Sequence, residues 1–185
     1  MMIIRQLYQD SHTEIRVATE LEAELHLDAI RASVQEIGAW ESWCNEQYQL
    51  EDSRKYLIDS EQKRHRGVEF NFCLFDRASG QLIGSVGVNR INQDYKFANI
   101  GYWIRTGFTG HSLAPLAVKV AARFAFDELA LTRLEIVAME GNHRSCRVAE
   151  KAGAVAEGLH RNRLYYRGKP KNAWVYSLIP GDVSA

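Results

Sequence analysis

Apolar and polar positions follow two rhythms along this chain, a strict alternation and a helical period, and these divide it into elements. Thr13–Thr19 alternates and predicts a strand. From Leu21 to Ile37, the apolar positions Leu25, Ile30, Val34 and Ile37 keep a helical spacing. A polar, charged helix is expected from Asp52 to His65. Phe70, Phe72 and Leu74 then alternate with Asn71 and Cys73 as a strand. Arg77-Ala78-Ser79-Gly80 makes a turn, and Gln81–Asn89 reads as the second strand of a hairpin. Asn92-Gln93-Asp94 turns the chain again into a third strand, Ala98–Ile104.

Beyond Ile104 the pattern changes. A loop over 106–111 leads to a helix, Leu113–Leu129, with Leu116, Val120 and Phe124 on one face. Leu134–Ala138 is a short buried strand. A helix from Asn142 to Ala152 ends at Gly153, which is placed to cap it. Ala154–Leu159 and Ala173–Ile179 are strands, separated by a loop containing Tyr165-Tyr166-Arg167-Gly168. No repeat or linker interrupts the series. It describes one α/β domain, in which a meander passes through a helix into a strand–helix–strand unit.

Composition narrows the classes. The chain has 185 residues, enough for one domain with a sizeable core. Hydrophobic residues are 46% and charged residues 25%, as in a soluble folded protein. Three prolines and 10% aromatics exclude disorder as the main state. No apolar run approaches the ~18–20 residues that span a bilayer, and no secretory h-region opens the chain. The expected location is therefore the cytoplasm, with no membrane partner. Cys44, Cys73 and Cys146 are odd in number without a C-x-x-C, and the six histidines show no H-E-x-x-H. Neither a disulfide frame nor a metal site is expected.

The formal net charge is zero, which argues against a nucleic-acid partner. The zero conceals a division: residues 1–70 carry a net charge of −6 and residues 71–185 a net charge of +6. Either surface charge is simply uneven, or the chain has two ligands of opposite sign.

The segment 98–129 carries the sharpest chemical signal. A strand enters a glycine-containing loop, and the loop opens a helix with no acidic residue in its first turn. Free N–H groups and the positive end of the helix dipole suit such a place to a phosphate. The P-loop and dinucleotide fingerprints are both absent.

Gly101-Tyr102-Trp103-Ile104 followed by Thr109-Gly110-His111-Ser112-Leu113-Ala114 resembles the acetyl-CoA-binding motif of the GNAT N-acetyltransferases. Asn142-His143-Arg144-Ser145 and Ala149–Ala154 resemble that family's second cofactor-binding stretch. Ala156-Glu157-Gly158-Leu159 with Tyr165–Gly168 is similar to the Rim-type branch, the ribosomal-protein N-terminal acetyltransferases and their relatives. The motifs are specific over residues 98–160 and only compatible before residue 70. The resemblance implies a GNAT fold: a mixed, mostly antiparallel twisted sheet flanked by helices, its strands splayed at the cofactor site. It divides a single domain, 1–185, into an acceptor-side part (13–70), an acetyl-CoA core (71–160) and a C-terminal strand and tail (161–185).

The roles it implies are specific to positions. Acetyl-CoA would be held by Trp103, Ile104, Thr109, Gly110, His111, Ser112, Leu113, Ala114, Asn142 and Arg147, without a metal. A backbone N–H at Trp103 or Ile104 would donate to the thioester oxygen. Two positions depart from the family's Q/R-x-x-G-x-G/A loop: Thr109 replaces Gln or Arg, and Ser112 replaces the central glycine. If the backbone there needs a positive φ, the serine costs ~1 kcal/mol or more.

Ser145 would protonate the departing thiolate, and Glu157 would activate the amine. Each also has a plain structural reading, Ser145 within an N-capping pattern and Glu157 as a strand-edge carboxylate. Glu69, Glu135 and Glu140 are further carboxylates near strand ends, and Arg144 is a further cation for a phosphate. Trp40, Trp43, Tyr48 and Tyr56 fall where the family builds its acceptor wall, in the acidic part of the chain. The implied activity is acetyl transfer to a primary amine, a protein or peptide N-terminus or a small amine, by direct attack in a ternary complex. The alternative is an acyl-CoA-binding module that has lost turnover, and a homodimer fits either.

Overall fold

A computed structural model describes residues 6–183; the ends of the single-domain span, 1–5 and 184–185, lie outside the described residues. Strands β1 (Gln6–Gln9), β2 (Thr13–Arg16), β3 (Phe70–Asp76), β4 (Leu82–Asn92), β5 (Phe97–Ile104), β6 (Arg133–Met139), β7 (Val155–Tyr166) and β8 (Lys169–Leu178) form one sheet. Their order is β1-β2-β3-β4-β5-β6-β8-β7, and only the β5–β6 pair is parallel. Helices α1 (Ala23–Arg31), α2 (Val34–Gly38), α3 (Leu50–His65), α4 (Leu113–Asp127) and α5 (His143–Ala152) cover it. The mixed, mostly antiparallel sheet expected from the sequence is present.

β3 shows how the layers are set. Phe70, Phe72 and Leu74 turn to one face and join the core that contains α4. Cys73 and Phe75 turn to the other, against Ala23, Ala29 and Leu57 of α1 and α3. Helices on both faces bury the strand almost throughout, which is why it is apolar beyond simple alternation. By contrast β7, at the sheet edge, is exposed along most of its length.

α4 crosses from β5 to its parallel neighbour β6. Of the expected face, Leu116, Val120 and Phe124, only Phe124 is fully buried. Ala114, Ala117, Val118, Ala121, Ala122 and Ala125 are buried with Phe124 and Phe126, whereas Leu116 and Val120 are half-buried. Small side chains let the helix lie close to the sheet. Phe124 meets Phe70 and Phe72 edge-on, with ring centroids 5.2 and 5.4 Å apart.

The helix expected from Leu21 to Ile37 is broken. A short 3-10 turn, capped by Thr19, precedes α1, and α1 stops before Ser33. The buried Ser33 hydroxyl donates to Ala29 O at 2.8 Å and accepts from the Thr106 N–H at 3.0 Å. That second bond ties the helical N-terminal region to the loop that opens α4. Two other expectations fell short in extent: β1 was not foreseen, and β7 and β8 run into a tight turn at Arg167-Gly168 instead of leaving a loop. Among the described residues no helix is long and apolar enough to cross a membrane.

Removing the Ser33 hydroxyl leaves the Thr106 N–H without its partner. Ser33→Ala should therefore lower stability by about 1–3 kcal/mol. Denaturant titration of both proteins checks this, and equal stability would show that the bond does not hold the loop.

Candidate active site

β5 and β6 run side by side for only three residue pairs, Phe97↔Arg133, Ala98↔Leu134 and Asn99↔Glu135. Beyond these they part. A cavity of about 820 Å³ opens between Ile100–Ile104 on one strand and Ile136–Met139 on the other. β5 stays fully paired with β4 on its other side, from Asn89↔Asn99 to Gly84↔Ile104. Arg105 N–H donates to Ile83 O at 2.9 Å. The two-residue period of a strand then turns the backbone groups of Trp103 towards β4, and those of Tyr102 and Ile104 towards the cavity.

Two helices begin at this opening. Leu113, Ala114 and Pro115 of α4 line it, and so do Asn142, His143, Arg144 and Ser145 at the start of α5. Neither helix has an acidic residue in its first turn, so two positive dipole ends meet one cavity. Among the described residues the N–H groups of Gly110, His111, Ser112, Leu113 and Ala114 find no protein acceptor. Arg147 and Lys151 add positive charge on the same wall. An anionic, phosphate-bearing ligand is what such a wall can hold.

At the α5 end, Asn142 Oδ1 caps the helix by accepting from Ser145 N–H at 3.1 Å. The Tyr102 hydroxyl lies 3.0 Å from both Ser145 O and Ser145 Oγ. Burial pushes the Tyr102 phenol up to about 12, so it stays protonated at neutral pH. A pair of hydroxyls thus stands at the cavity wall, able to pass one proton between them.

A second cavity, about 290 Å³, adjoins the first and shares Glu41, Gly101, Tyr102 and Trp103 with it. Its other walls include His26, Trp43, Tyr48, Tyr56 and Glu69.

A profile described as "Acetyltransferase (GNAT) domain" matches residues 15–155. The chain belongs to the GNAT acetyltransferase family. A Bacillus subtilis (strain 168) protein named putative ribosomal N-acetyltransferase YdaF is 30% identical over 173 residues, covering 92% of each chain. The solved structure of a putative ribosomal-protein-serine acetyltransferase from Vibrio cholerae is 29% identical, with a TM-score of 0.84 over 97% of this chain and 100% of that one. A RimL ribosomal L7/L12 α-N-protein acetyltransferase solved with coenzyme A superposes with a TM-score of 0.86 over 95% of this chain and 98% of that one. At 19% identity it is a likeness of fold. The protein is accordingly an acyltransferase by family, with relatives named as N-acetyltransferases.

Within this GNAT fold the structure brings most of the expected residues together. Trp103, Ile104, Thr109, Gly110, Ser112, Leu113, Ala114, Asn142, Ser145 and Arg147 all line the large cavity. His111 does not line it and is exposed. Arg144 lines it but is paired with Glu36 at 3.0 Å, bridging α5 to α2. Ser112 sits at φ +59°, the left-handed region. The serine therefore occupies the conformation that favours the glycine it replaces.

Glu157 is elsewhere. It lines neither cavity, and both its oxygens accept from Arg133, at 2.7 and 2.5 Å. Arg133 is at the end of β6 where the strands are still paired, away from the parting. Hydrogen bonding to the Arg133 guanidinium, then to Ser177, holds the Glu157 carboxyl at about 2. A carboxylate so strongly held is a weak base in this arrangement. Glu135 is tied to Arg133 and Arg163 in the same cluster, and Glu140 accepts from Asn172 outside both cavities. Glu69 does line the small cavity, paired with Lys63 at 3.1 Å.

Sequence reasoning missed Glu41 and the Tyr102 phenol. Glu41 stands at the junction of the two cavities. Its surroundings raise its carboxyl above the usual range through desolvation, although the residue keeps an exposed surface. The signal was present: Trp40-Glu41-Ser42-Trp43 sets a carboxylate between two tryptophans.

Glu157 is lowered in the folded state, so its pairing stabilises the fold above an unfolded pKa of about 4.5 and is lost as pH falls towards 2. The pair is partly exposed, so screening limits it to about 1 kcal/mol or less. Glu157→Gln should lower stability slightly at pH 7, with the deficit closing below pH 4, and should leave turnover unchanged. Thermal denaturation against pH, with an activity assay at pH 7, checks both. A loss of turnover with intact stability would return the base to Glu157.

Proposed function

We propose that this protein is an N-acetyltransferase that moves an acetyl group from acetyl-CoA to a primary amine by direct attack, with both substrates bound together. The observation that carries the reading is the convergence of an unpaired β5 edge and two helix N-termini on one cavity. The N–H groups of residues 110–114 suit the pyrophosphate, and Arg147 and Lys151 suit further phosphate charge. Among the described residues the Asn142 amide nitrogen has no hydrogen-bond partner, and it can donate to the pantetheine arm. Acetyl-CoA supplies a thioester. The backbone N–H of Ile104 or Tyr102 is placed to donate to its carbonyl oxygen.

The Tyr102–Ser145 hydroxyl pair is the proton source for the departing sulfur. Both hydroxyls are weak acids, but a thiolate needs little assistance. The relatives named for ribosomal-protein acetylation support a protein N-terminus as acceptor, and a small amine fits the same chemistry. At pH 7 the neutral form costs roughly 1–1.4 kcal/mol for an α-amine near pKa 8, against roughly 4.6 for a lysine side chain. The arithmetic favours α-amines and weak bases. Action in the cytoplasm follows from this reading.

Ser112 keeps the second reading, a binding module without turnover, under test. A non-glycine residue at this φ costs ~1 kcal/mol or more. Calorimetry should find CoA binding below millimolar concentration, and Ser112→Gly, whose backbone meets no such penalty, should be the more stable protein with that affinity kept. Ser145→Ala and Tyr102→Phe should each lower kcat on the order of 10-fold or more, with CoA affinity nearly unchanged. Absence of CoA binding would end the assignment. Binding without thiol release, whatever the amine, would favour the module.

A further inference from the structure

The small cavity owes its existence to missing side chains. Gly87 and Gly101 face each other directly across β4 and β5, and both line it. A Cβ at Gly87 would come within 2.2 Å of Asn71 Oδ1, so glycine lets Asn71 lie across the strand. At Gly101 the only atom within 4 Å of a Cβ is Asn89 Nδ2, at 3.7 Å, so this position has room for a side chain. The adjoining β5 residues, Tyr102 and Trp103, line both cavities. A group seated here meets the large cavity where β5 turns its free N–H groups outward.

The walls are aromatic. His26 stacks on Tyr56 with ring centroids 4.9 Å apart and meets Trp103 edge-on at 5.9 Å. Trp43 meets Tyr48 at 6.0 Å. Burial lowers His26 to about 4, so this ring adds aromatic surface and no positive charge at neutral pH. Two carboxylates complete the wall. Glu69 is paired with Lys63 and accepts a hydrogen bond from the Asn71 amide. Glu41 interacts with the Trp43 side chain and, at longer range, with Arg90, but has no Lys or Arg within ion-pair distance among the described residues. Aromatic faces with a carboxylate outside any salt bridge attract a cation and repel an anion.

We infer that this cavity is the acceptor site, taking a protonated primary amine on a compact, carboxylate-free aromatic group, with Glu41 holding the ammonium and removing its proton. The assignment rests on the acetyl-transfer reading. Its volume, just below the usual range for ligand cavities, limits the amine-bearing group to a small body. Glu41 takes one proton from the ammonium and passes it to solvent. The freed nitrogen lone pair forms the N–C bond to the acetyl carbon as the C–S bond breaks. The second proton shed by nitrogen balances the one delivered to sulfur, so the products are an amide, a thiol and one released proton. A free arylalkylamine and the first residue of a peptide offer the same chemistry.

The test uses the full chain with 2-phenylethylamine, ethylamine, phenylalanine and a peptide beginning with phenylalanine. Binding is read from tryptophan fluorescence, since Trp43 and Trp103 line the cavity, and transfer from thiol release. Phenylethylamine should bind about tenfold or more tightly than phenylalanine, whose carboxylate meets Glu41. Gly101→Val fills the cavity and should weaken phenylethylamine about tenfold but ethylamine about threefold or less. Glu41→Gln should lower kcat for phenylethylamine about 100-fold, with Glu41→Asp recovering part of the loss. Preference for the peptide over the free amine would name the peptide as the source of the group. Equal binding of phenylalanine, equal effects of Gly101→Val on both amines, or unchanged kcat in Glu41→Gln would overturn the inference. Amine binding without thiol release in any arm would overturn the transfer reading while leaving the cavity's ligand class intact.

Discussion

The parting of β5 and β6 after Asn99 and Glu135 is the constraint on which the site depends. Two parallel strands that stayed paired would consume each other's backbone groups and leave no opening. Because they diverge, the N–H groups of Tyr102 and Ile104 have no strand partner on that side among the described residues, while β4 still holds the strand. The same opening admits the first turns of α4 and α5. The alanine-lined face of α4 keeps that helix close to the sheet, so its N-terminus is fixed at the cavity mouth. Ser33 and Thr106 brace the loop from the other side. The site is thus built largely from backbone positioned by packing.

Charge follows the same geometry. The large cavity is positive, through two helix N-termini with Arg147 and Lys151, all from the basic part of the chain. Glu36, Glu41 and Glu69 come from the acidic part, and they line the walls of the α2 side and of the small cavity. The balance of −6 and +6 along the sequence becomes a spatial division, with β5 at the boundary. It favours an anionic donor on one side and a cationic acceptor on the other.

How much of this the sequence revealed depended on the kind of signal. Apolar patterning and turn residues located β3 to β6, and Gly153 marked the end of α5, where it takes φ +97°. Asn142 was legible because a helix N-cap and a following Ser145 N–H form a local motif. Contacts made at long range were not legible. The helix over 21–37 looked continuous because its break is made by Ser33 bonding to Thr106, 73 residues away. Glu157 fitted a motif but met Arg133, two strands away across β8 in the same sheet, and that partner is invisible in sequence. Glu41 reaches the cavity junction through folding of a segment that carried no family motif. Ser112 stood out as a departure, and only the backbone shows that it sits at a glycine's φ.

The central claim is that the donor lies along the free edge of β5 and across the α4 N-terminus. Amide hydrogen exchange with and without acetyl-CoA tests it most directly, because it reads the backbone groups themselves. The account predicts added protection at Tyr102, Ile104 and residues 110–114, with no change at residues 155–160 of β7. Protection centred on β7, or none at residues 110–114, would contradict it.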